Sequence, residues 1–235
     1  TTQGTTSTLS ISRTGIQNTL TYNTTLNKKH ALEILLGQSI DERNEFRTSL
    51  GAMDYPLESV PTLNMGATPT EASSSRTIVR TSSLFGRVNY NYMSKYYATA
   101  SFRVDGSSKF AKKNRYGLFP SASLAWNFSE EDFMKEYKSI LSNGKLRASW
   151  GLTGNNRVGE YEAYALLKMA KAASNNLPSG VYPFETNQNS IGMVPISLAN
   201  KDLKWETTEQ WNVGLDLGFF DERIGINVDW YMKTT

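Results

Sequence analysis

The chain of 235 residues contains no cysteine. That excludes a disulfide framework, thiolate metal sites and a cysteine nucleophile. His30 is the only histidine, so a zinc cluster or a histidine-based triad has one imidazole to draw on. No apolar run reaches the length of a membrane-spanning helix, and the mean hydropathy is −0.45. This absence leaves a transmembrane β-barrel open, because barrel strands alternate and their average hydropathy is ordinary. A dominant charge is missing too. The 25 basic and 22 acidic residues leave +3, too weak a bias to mark a nucleic-acid surface. No nucleophile–base pair or metal-ligating cluster is visible, so the expectation is a protein that is not an enzyme, with no catalytic residue, metal site or cofactor. The start TTQGTTSTLS carries no leader signature and the end DWYMKTT follows directly on a strand pattern. The chain therefore reads as a piece of a longer polypeptide.

What is present is alternation. In RTSSLFGRVNYNYMSKYYATASFRVDGSSKF (80–110) the even positions Leu84, Val88, Tyr90, Tyr92, Tyr96, Ala98, Ala100, Phe102 and Val104 are apolar. The odd positions, among them Arg87, Asn89, Asn91, Thr99, Ser101 and Arg103, are mostly polar. This is the period of two β-strands joined by a tight turn. Six further segments share it, at about 8–26, 30–47, 117–128, 144–154, 204–219 and 223–233. A helix is expected between the fifth and sixth strands, in SEEDFMKEYKSILSNG. Ser129 and Asp132 there resemble a capping box, Phe133, Met134, Tyr137, Ile140 and Leu141 keep helical spacing, and Gly144 sits where a helix would stop.

The connections sort by length. NKK, MSK and DER are tight, and the helix is a fourth short link. Residues 48–78, 105–116 and 155–203 make longer loops that alternate with them. Antiparallel neighbours then place all short turns at one end and all long loops at the other, the asymmetry of outer-membrane barrels. Tyr22, Tyr92, Tyr96, Trp126, Phe128 and Phe219 lie on apolar faces close to short turns. They make a candidate aromatic ring at a lipid interface. The expected fold is thus all-β, an antiparallel transmembrane barrel segment of about eight meandering strands. Arg87, Asn89, Asn91, Arg103, Arg147, Asn212, Asp216 and Asp229 are its lumen-facing candidates. Alternation alone equally fits a soluble β-sandwich, such as a carbohydrate-binding module, with the even face as core.

Three blocks carry a closer resemblance: LFGRVNYNYMSKYYATASFRVDGSSKFAKKNRYGLFPSASLAWNFSEEDFM, KLRASWGLTGNNRVGEY and LANKDLKWETTEQWNVGLDLGFFDERIGINVDWYMKTT. They resemble the SusC/RagA family of TonB-linked outer-membrane transporters of Bacteroidota, from about residue 78 to the end. Residues 15–47 fit more loosely. Asn200-Lys201-Asp202-Leu203 departs slightly from the family's Asn-Pro-Asp-Leu. The resemblance implies a barrel of about 22 strands with a plug domain and TonB box, both outside residues 1–235, which read as one partial barrel domain. It implies location in the Gram-negative outer membrane as a multi-pass protein, and import of oligosaccharide, or in some members peptide. Its implied partners are TonB, a SusD-like surface lipoprotein and the outer-membrane lipid; nucleic acid is not among them.

Other motifs have simpler readings. Asp105-Gly106-Ser107-Ser108-Lys109 lacks the glycines of a phosphate loop and the ligands of a calcium loop, and reads as a polar turn. Lys109, Lys112, Lys113 and Arg115 form a basic run that suits lipopolysaccharide phosphates or simply solvent. Glu130, Glu131 and Asp132 read as acidic residues at a helix start rather than as a catalytic cluster. Tyr182, Phe184, Asn187, Gln188 and Asn189 combine rings with amides and are candidates for contact with sugar or with the lid lipoprotein. His30 beside its turn reads as a surface residue.

Overall fold

The computed structural model describes residues 2–56, 62–169, 181–184, 188–191 and 193–235. Its main element is one eight-stranded sheet. In chain order the strands are β1 (Gln3–Leu26), β2 (His30–Met53), β3 (Thr68–Tyr92), β4 (Tyr96–Ser107), β5 (Tyr116–Asn127), β6 (Leu141–Asn155), then β11 (Glu206–Phe219) and β12 (Ile224–Thr234). Each lies beside its sequence neighbour, so the sheet is a plain meander. The loop between β6 and β11 holds two small hairpin-like sheets, β7 (Leu167–Met169) with β10 (Met193–Pro195) and β8 (Val181–Phe184) with β9 (Gln188–Ile191). All eight expected strands form. The first three run longer than expected, at 24, 24 and 25 residues, and take in much of the segment read as the 48–78 loop.

The residues separate into two compact units. One comprises Thr1–Ile16 and Ser39–Thr81, the other Gln17–Gln38 and Ser82–Thr235. In the first, Arg80 donates to Glu42 at 2.7 Å and Arg76 to Asn44 at 3.0 Å, so polar cross-strand pairs hold β2 to β3. The second contains the tight turns and the remaining strands.

Register keeps the two faces intact from strand to strand. Across β4 and β5, Tyr96 pairs with Trp126, Ala98 with Leu124 and Ala100 with Ala122. Across β5 and β6, Leu124 pairs with Ala148 and Trp126 with Leu146. Ala148 then meets Val213 of β11, and Val213 meets Trp230 of β12. Apolar residues oppose apolar ones throughout, because a one-residue slip would reverse every side chain.

Among the described residues the apolar face has no second layer. Leu20 is 71% exposed and Leu124 65%, and Leu84, Leu146, Val213, Ile226 and Trp230 are also exposed. Among the described residues the buried hydrophobics are only Ala52, Phe110, Phe119 and Ala163. A soluble sandwich would cover these faces with a facing sheet at about 10 Å; the described residues supply none. The sandwich expectation fails on this point.

The helix expected over 129–144 is replaced by two 3-10 segments, Phe128–Glu130 and Asp132–Tyr137. Glu131 between them is extended (φ −77°, ψ 153°), and neither segment has a side-chain cap. Ser129 donates instead to Asn127, at 2.8 Å, so it does not act as a capping box. Leu141–Gly144 belong to β6. Gly144 is not a helix stop: a Cβ there would lie 2.4 Å from the Phe128 ring, which closes over the glycine. Phe128 accordingly leaves β5, which ends at Asn127.

The tight turns demand left-handed backbone. Asn27 and Lys28, then Met93 and Ser94, all have φ between 51° and 57°. The Lys29 and Lys95 amides close the turns onto Leu26 and Tyr92 carbonyls at 3.1 and 2.9 Å. These are two-residue hairpins of the twist-matched kind, for which Asn and Gly are favoured. Asn27 suits its place. Met93 does not, and the turn is helped by Asn91, whose carbonyl accepts from the Ser94 amide at 2.9 Å. Met93→Gly relieves a left-handed side chain and is expected to stabilise the hairpin by about 1 kcal/mol, read as a higher urea midpoint with an unchanged slope.

Candidate functional site

The polar face is the surface on which the chemistry-bearing side chains gather. Alternation puts Arg87, Asn89, Asn91 and Arg103 on it from β3 and β4, and register adds Arg147, Asn212, Asp216 and Asp229 from β6, β11 and β12. Three of these meet. Arg147 donates through Nε and Nη2 to the two oxygens of Asp216 at 3.0 and 3.1 Å, and its Nη2 lies 2.8 Å from Asp229. Gly214, whose register partners are Arg147 on β6 and Asp229 on β12, leaves the room: a Cβ there would lie 2.6 Å from both Arg147 Cζ and Asp229 Oδ1. Asn212 faces Ser149 across the ladder. Arg103 donates to Asp105 at 2.6 Å and to Ser83 at 2.8 Å, and its guanidinium lies 5.3 Å from the centre of the Phe85 ring.

Asn89 joins a chain the sequence did not single out. Thr99 Oγ1 donates to Asn89 Oδ1 at 2.9 Å, and Asn89 Nδ2 donates to Glu33 Oε1 at 2.8 Å. Next to it Tyr97 donates to the Ser94 carbonyl at 3.0 Å, with Lys145 Nζ over its ring at 5.1 Å. The signal for Glu33, Thr99 and Tyr97 lay in their odd parity alone. Their partners are 10 and 56 positions away from Asn89, a spacing no local pattern encodes.

Two carboxylates organise the aromatics of the other face. Glu131, read from sequence as a helix-start residue, is an acceptor: Tyr96 donates at 2.6 Å, Lys95 at 3.0 Å and the Trp126 indole at 3.2 Å. These donors, Tyr96 first and then Lys95 and Trp126, hold its carboxyl down at about 2. Glu209 accepts from the indoles of Trp150 and Trp211 at 2.7 and 3.1 Å. The ring series near the short turns continues through Tyr92 with Tyr96 (6.3 Å) and Trp126 with Phe128 (5.8 Å). His30 joins it rather than standing free at the surface. Its ring lies 4.8 Å from Tyr92 and its Nδ1 is 2.7 Å from the Tyr90 hydroxyl. Tyr22 is exposed on β1, and Phe219 ends β11 opposite Ile224.

At the far ends of the strands an aromatic clamp joins two connections. Phe110, fully buried, lies 5.2 Å from Trp205, and Phe119 lies 5.4 Å from it edge-on. Trp205 donates to the Arg115 carbonyl at 3.0 Å, and Asn114 to that of Leu203 at 3.2 Å. The basic run is drawn into this clamp. Lys109 pairs with Glu160 at 3.6 Å, and Lys113 pairs with Asp202, whose carboxyl it lowers. Those two lysines are therefore less available to lipopolysaccharide phosphate than the sequence suggested. Of the segment read as a polar turn, Asp105, Gly106 and Ser107 end β4 instead, pairing with β5 at Gly117 and Tyr116, and only Ser108 and Lys109 lie in the turn. Of the loop candidates, Tyr182 and Phe184 fall in β8, Gln188 and Asn189 in β9, with Phe184 opposite Gln188. Asn187 lies outside the described residues.

A single meander with one exposed apolar face, one hydrogen-bonded polar face and turns sorted by length is the wall of a membrane β-barrel. The family model for the TonB dependent receptor-like β-barrel matches residues 1–235, and the chain belongs to that family. TonB-dependent receptor P39 of Formosa agariphila is 38% identical over 226 residues, which cover 93% of this chain and 20% of the relative. TonB-dependent receptor SusC of Bacteroides thetaiotaomicron is 40% identical over 153 residues, 65% of this chain and 14% of the relative. The RagAB peptide transporter structure superposes with a TM-score of 0.83 at 25% identity, over 97% of this chain and 24% of that one. The chain spans about a fifth of the length of the curated relatives it matches. The SusC/RagA resemblance agrees with these matches.

Two measurements check the site's construction. A carboxyl held low in the folded state contributes stability above its ordinary value of 4.5 and loses it as pH falls toward about 2. The difference in stability between the parent and Glu131→Gln is therefore expected to be constant above pH ~5 and to shrink below ~4.5, read by urea unfolding at stepped pH. Phe110→Ala is expected to cost the clamp about 3 kcal/mol, seen as faster amide exchange in 108–116 and 200–205 with the middle of β4 still protected.

Proposed function

We propose that this chain is a stretch of the barrel wall of an outer-membrane TonB-dependent importer of the SusC type. The observation that carries the reading is the exposed apolar face and its dimensions. On β5 it runs from Tyr116 to Trp126 through Leu118, Pro120, Ala122 and Leu124. That is about ten residues, or about 34 Å of strand, which at a barrel tilt near 40–45° spans about 25 Å, the height of an outer-membrane apolar band. Aromatics stand at both ends of it, and Tyr22, Tyr92, Tyr96, Trp126, Phe128 and Phe219 make the interface row on the side of the short turns. That side is periplasmic and the long loops are external.

The opposite face lines the lumen. Arg87, Asn89, Asn91, Arg103, Arg147, Asn212, Asp216 and Asp229 lie along it, and the strongest charges there answer one another, as in the Arg147–Asp216–Asp229 triad. Hydroxyls and amides make up most of the rest: Thr99, Ser101, Ser121, Ser123, Ser149, Asn89 and Asn212. Such a wall suits a large neutral polyhydroxylated cargo, so oligosaccharide is the favoured substrate and peptide the second. The whole protein draws energy from TonB and works with a SusD-like surface lipoprotein that closes over the external loops, Tyr182, Phe184, Asn187, Gln188 and Asn189 among the contact candidates. This wall itself performs no covalent chemistry.

The faces are tested by paired substitutions in the full-length protein. Ala122→Arg puts a charge in mid-band facing lipid and is expected to cost about 2–4 kcal/mol, while Ser123→Arg, one residue on, is tolerated in the lumen. Equal costs, or the reverse order, would overturn the assignment of faces. In source cells, the expected protein is an outer-membrane band much larger than 26.3 kDa that shifts on boiling. A soluble, heat-insensitive band of that size would sink the importer reading.

A further inference from the structure

The connection from β5 to β6 leaves the sheet on its apolar side. Phe128 closes over Gly144, whose position on β6 shares the face of Leu146, Ala148 and Trp150, and its ring lies 5.8 Å from that of Trp126. Further along, Glu131 accepts from the Tyr96 hydroxyl at 2.6 Å and from the Trp126 indole at 3.2 Å, and both rings belong to that same face. The connection is thus tied at two points to the short-turn margin of the apolar face.

Beyond Glu131 the backbone bonds at a spacing of three. The Met134 amide donates to the Glu131 carbonyl at 3.0 Å, that of Lys138 to Lys135 at 3.5 Å and that of Ile140 to Tyr137 at 2.9 Å. Such a repeat stacks side chains in rows. Asp132, Lys135 and Lys138 make one row, and Met134, Tyr137 and Ile140 another. The first row is charged and answered, with Lys135 on Asp132 at 2.8 Å and Lys138 on Glu130 at 3.0 Å. The second is apolar and open. Tyr137 and Ile140 are exposed, as are Phe133 beside them, at 63%, and Phe220 in the next short turn. The Phe220 amide donates to the Ile140 carbonyl at 3.0 Å, which joins the two connections backbone to backbone. A turn facing only water has no use for so many uncovered rings.

We propose that residues 128–140 form a foot lying in the headgroup region of the periplasmic leaflet, with its apolar row, Phe133 and Phe220 seated against zwitterionic phospholipid. The assignment rests on the apolar face meeting lipid, as argued above. Continuity with that face carries it. The foot hangs from Trp126 and Tyr96, amphipathic rings of the kind that settle at a membrane–water interface. A segment with one apolar and one charged row lies in the plane of that interface, as amphipathic helices do. The charges select the lipid. Lys135 and Lys138 are already paired within the foot, so it offers no free cation to an anionic headgroup. Glu136 is the one charge on the foot without an ion pair among the described residues, and it suits a headgroup that carries an ammonium. The foot would fix the height of β5 and β6 against the leaflet.

The test is a spin-label depth measurement on the full-length protein in nanodiscs of phosphatidylcholine, repeated with phosphatidylglycerol added. Labels are attached one at a time to Tyr137→Cys and Ile140→Cys. Leu124→Cys, in the middle of the apolar face, and Lys28→Cys, in the β1–β2 turn, serve as references. The boiling shift on gels checks that each barrel is folded. Relaxation by oxygen, which concentrates in lipid, is compared with relaxation by a water-soluble nickel chelate. The oxygen-to-nickel ratio at both foot positions is expected to be several-fold above that of Lys28→Cys, below that of Leu124→Cys, and the same in both lipid mixtures. Ratios equal to that of Lys28→Cys, with Leu124→Cys still in lipid, would overturn the foot and leave the barrel reading intact. Protection from both reagents would show that protein covers the apolar row, which also overturns it. A high ratio that appears only with phosphatidylglycerol would overturn the apolar seating in favour of charge. A low ratio at Leu124→Cys as well would take the barrel reading down with the foot.

Discussion

The structure depends on backbone pairing within one sheet. Each inner strand of the meander is paired on both sides, and the edge strands β1 and β12 on one, so over the paired strands the apolar side chains need no facing layer to shield polar backbone groups. This is the condition under which an unbacked apolar surface suits a membrane, because unpaired peptide groups in hydrocarbon each cost several kcal/mol (of order 2–7). The same condition fixes register. Ala98, Leu124, Ala148, Val213 and Trp230 line up across five strands only because no pair slips by one residue. Faces and pairing are therefore one property, and neither survives without the other.

Polar groups at the margins of the apolar face are handled by collecting donors around carboxylates. Glu131 takes a phenol, an ammonium and an indole, and Glu209 takes two indoles. Each carboxylate orients rings whose remaining surface is apolar, which suits a boundary where one end of a side chain is wet and the other is not. The arrangement also accounts for the lost helix. Glu131 must be extended to reach Tyr96 and Trp126, and an extended residue interrupts the helical turn that the spacing of Phe133, Tyr137 and Leu141 suggested.

Much of the fold was legible in the sequence, because period-two alternation and turn length are local signals. The eight strands, their meander order and the sorting of the connections all followed from them. The extra length of β1–β3 was not legible, since segments such as SLGAM and PTEASSSRT carry no alternation and are held by strand pairing and by cross-strand polar contacts such as Arg76 with Asn44. For the polar face, parity predicted which residues share a surface, and Arg147, Asp216 and Asp229 did come together. Parity is silent on who touches whom, so Glu33, Thr99 and Tyr97 went unnoticed. The Trp205 clamp and the acceptor role of Glu131 were hidden for the same reason: their partners lie on other strands and turns, some 90 positions apart for Trp205 and Arg115.

The answered charges of Arg103 and Arg147 have a consequence for anything moving along this face. A guanidinium already gripped by one or two carboxylates presents little net field, and the surrounding hydroxyls and amides offer contacts of similar, modest strength. If this face is the lumen wall proposed above, a cargo sliding past would meet a landscape of low roughness, with many shallow minima and no deep trap. Friction on such a track would grow with contact area rather than with any one residue, so long cargo would advance by small exchanges of equivalent contacts. Single substitutions that cancel one contact would barely change the speed, whereas freeing the Arg147 guanidinium from its two aspartates would act as a brake.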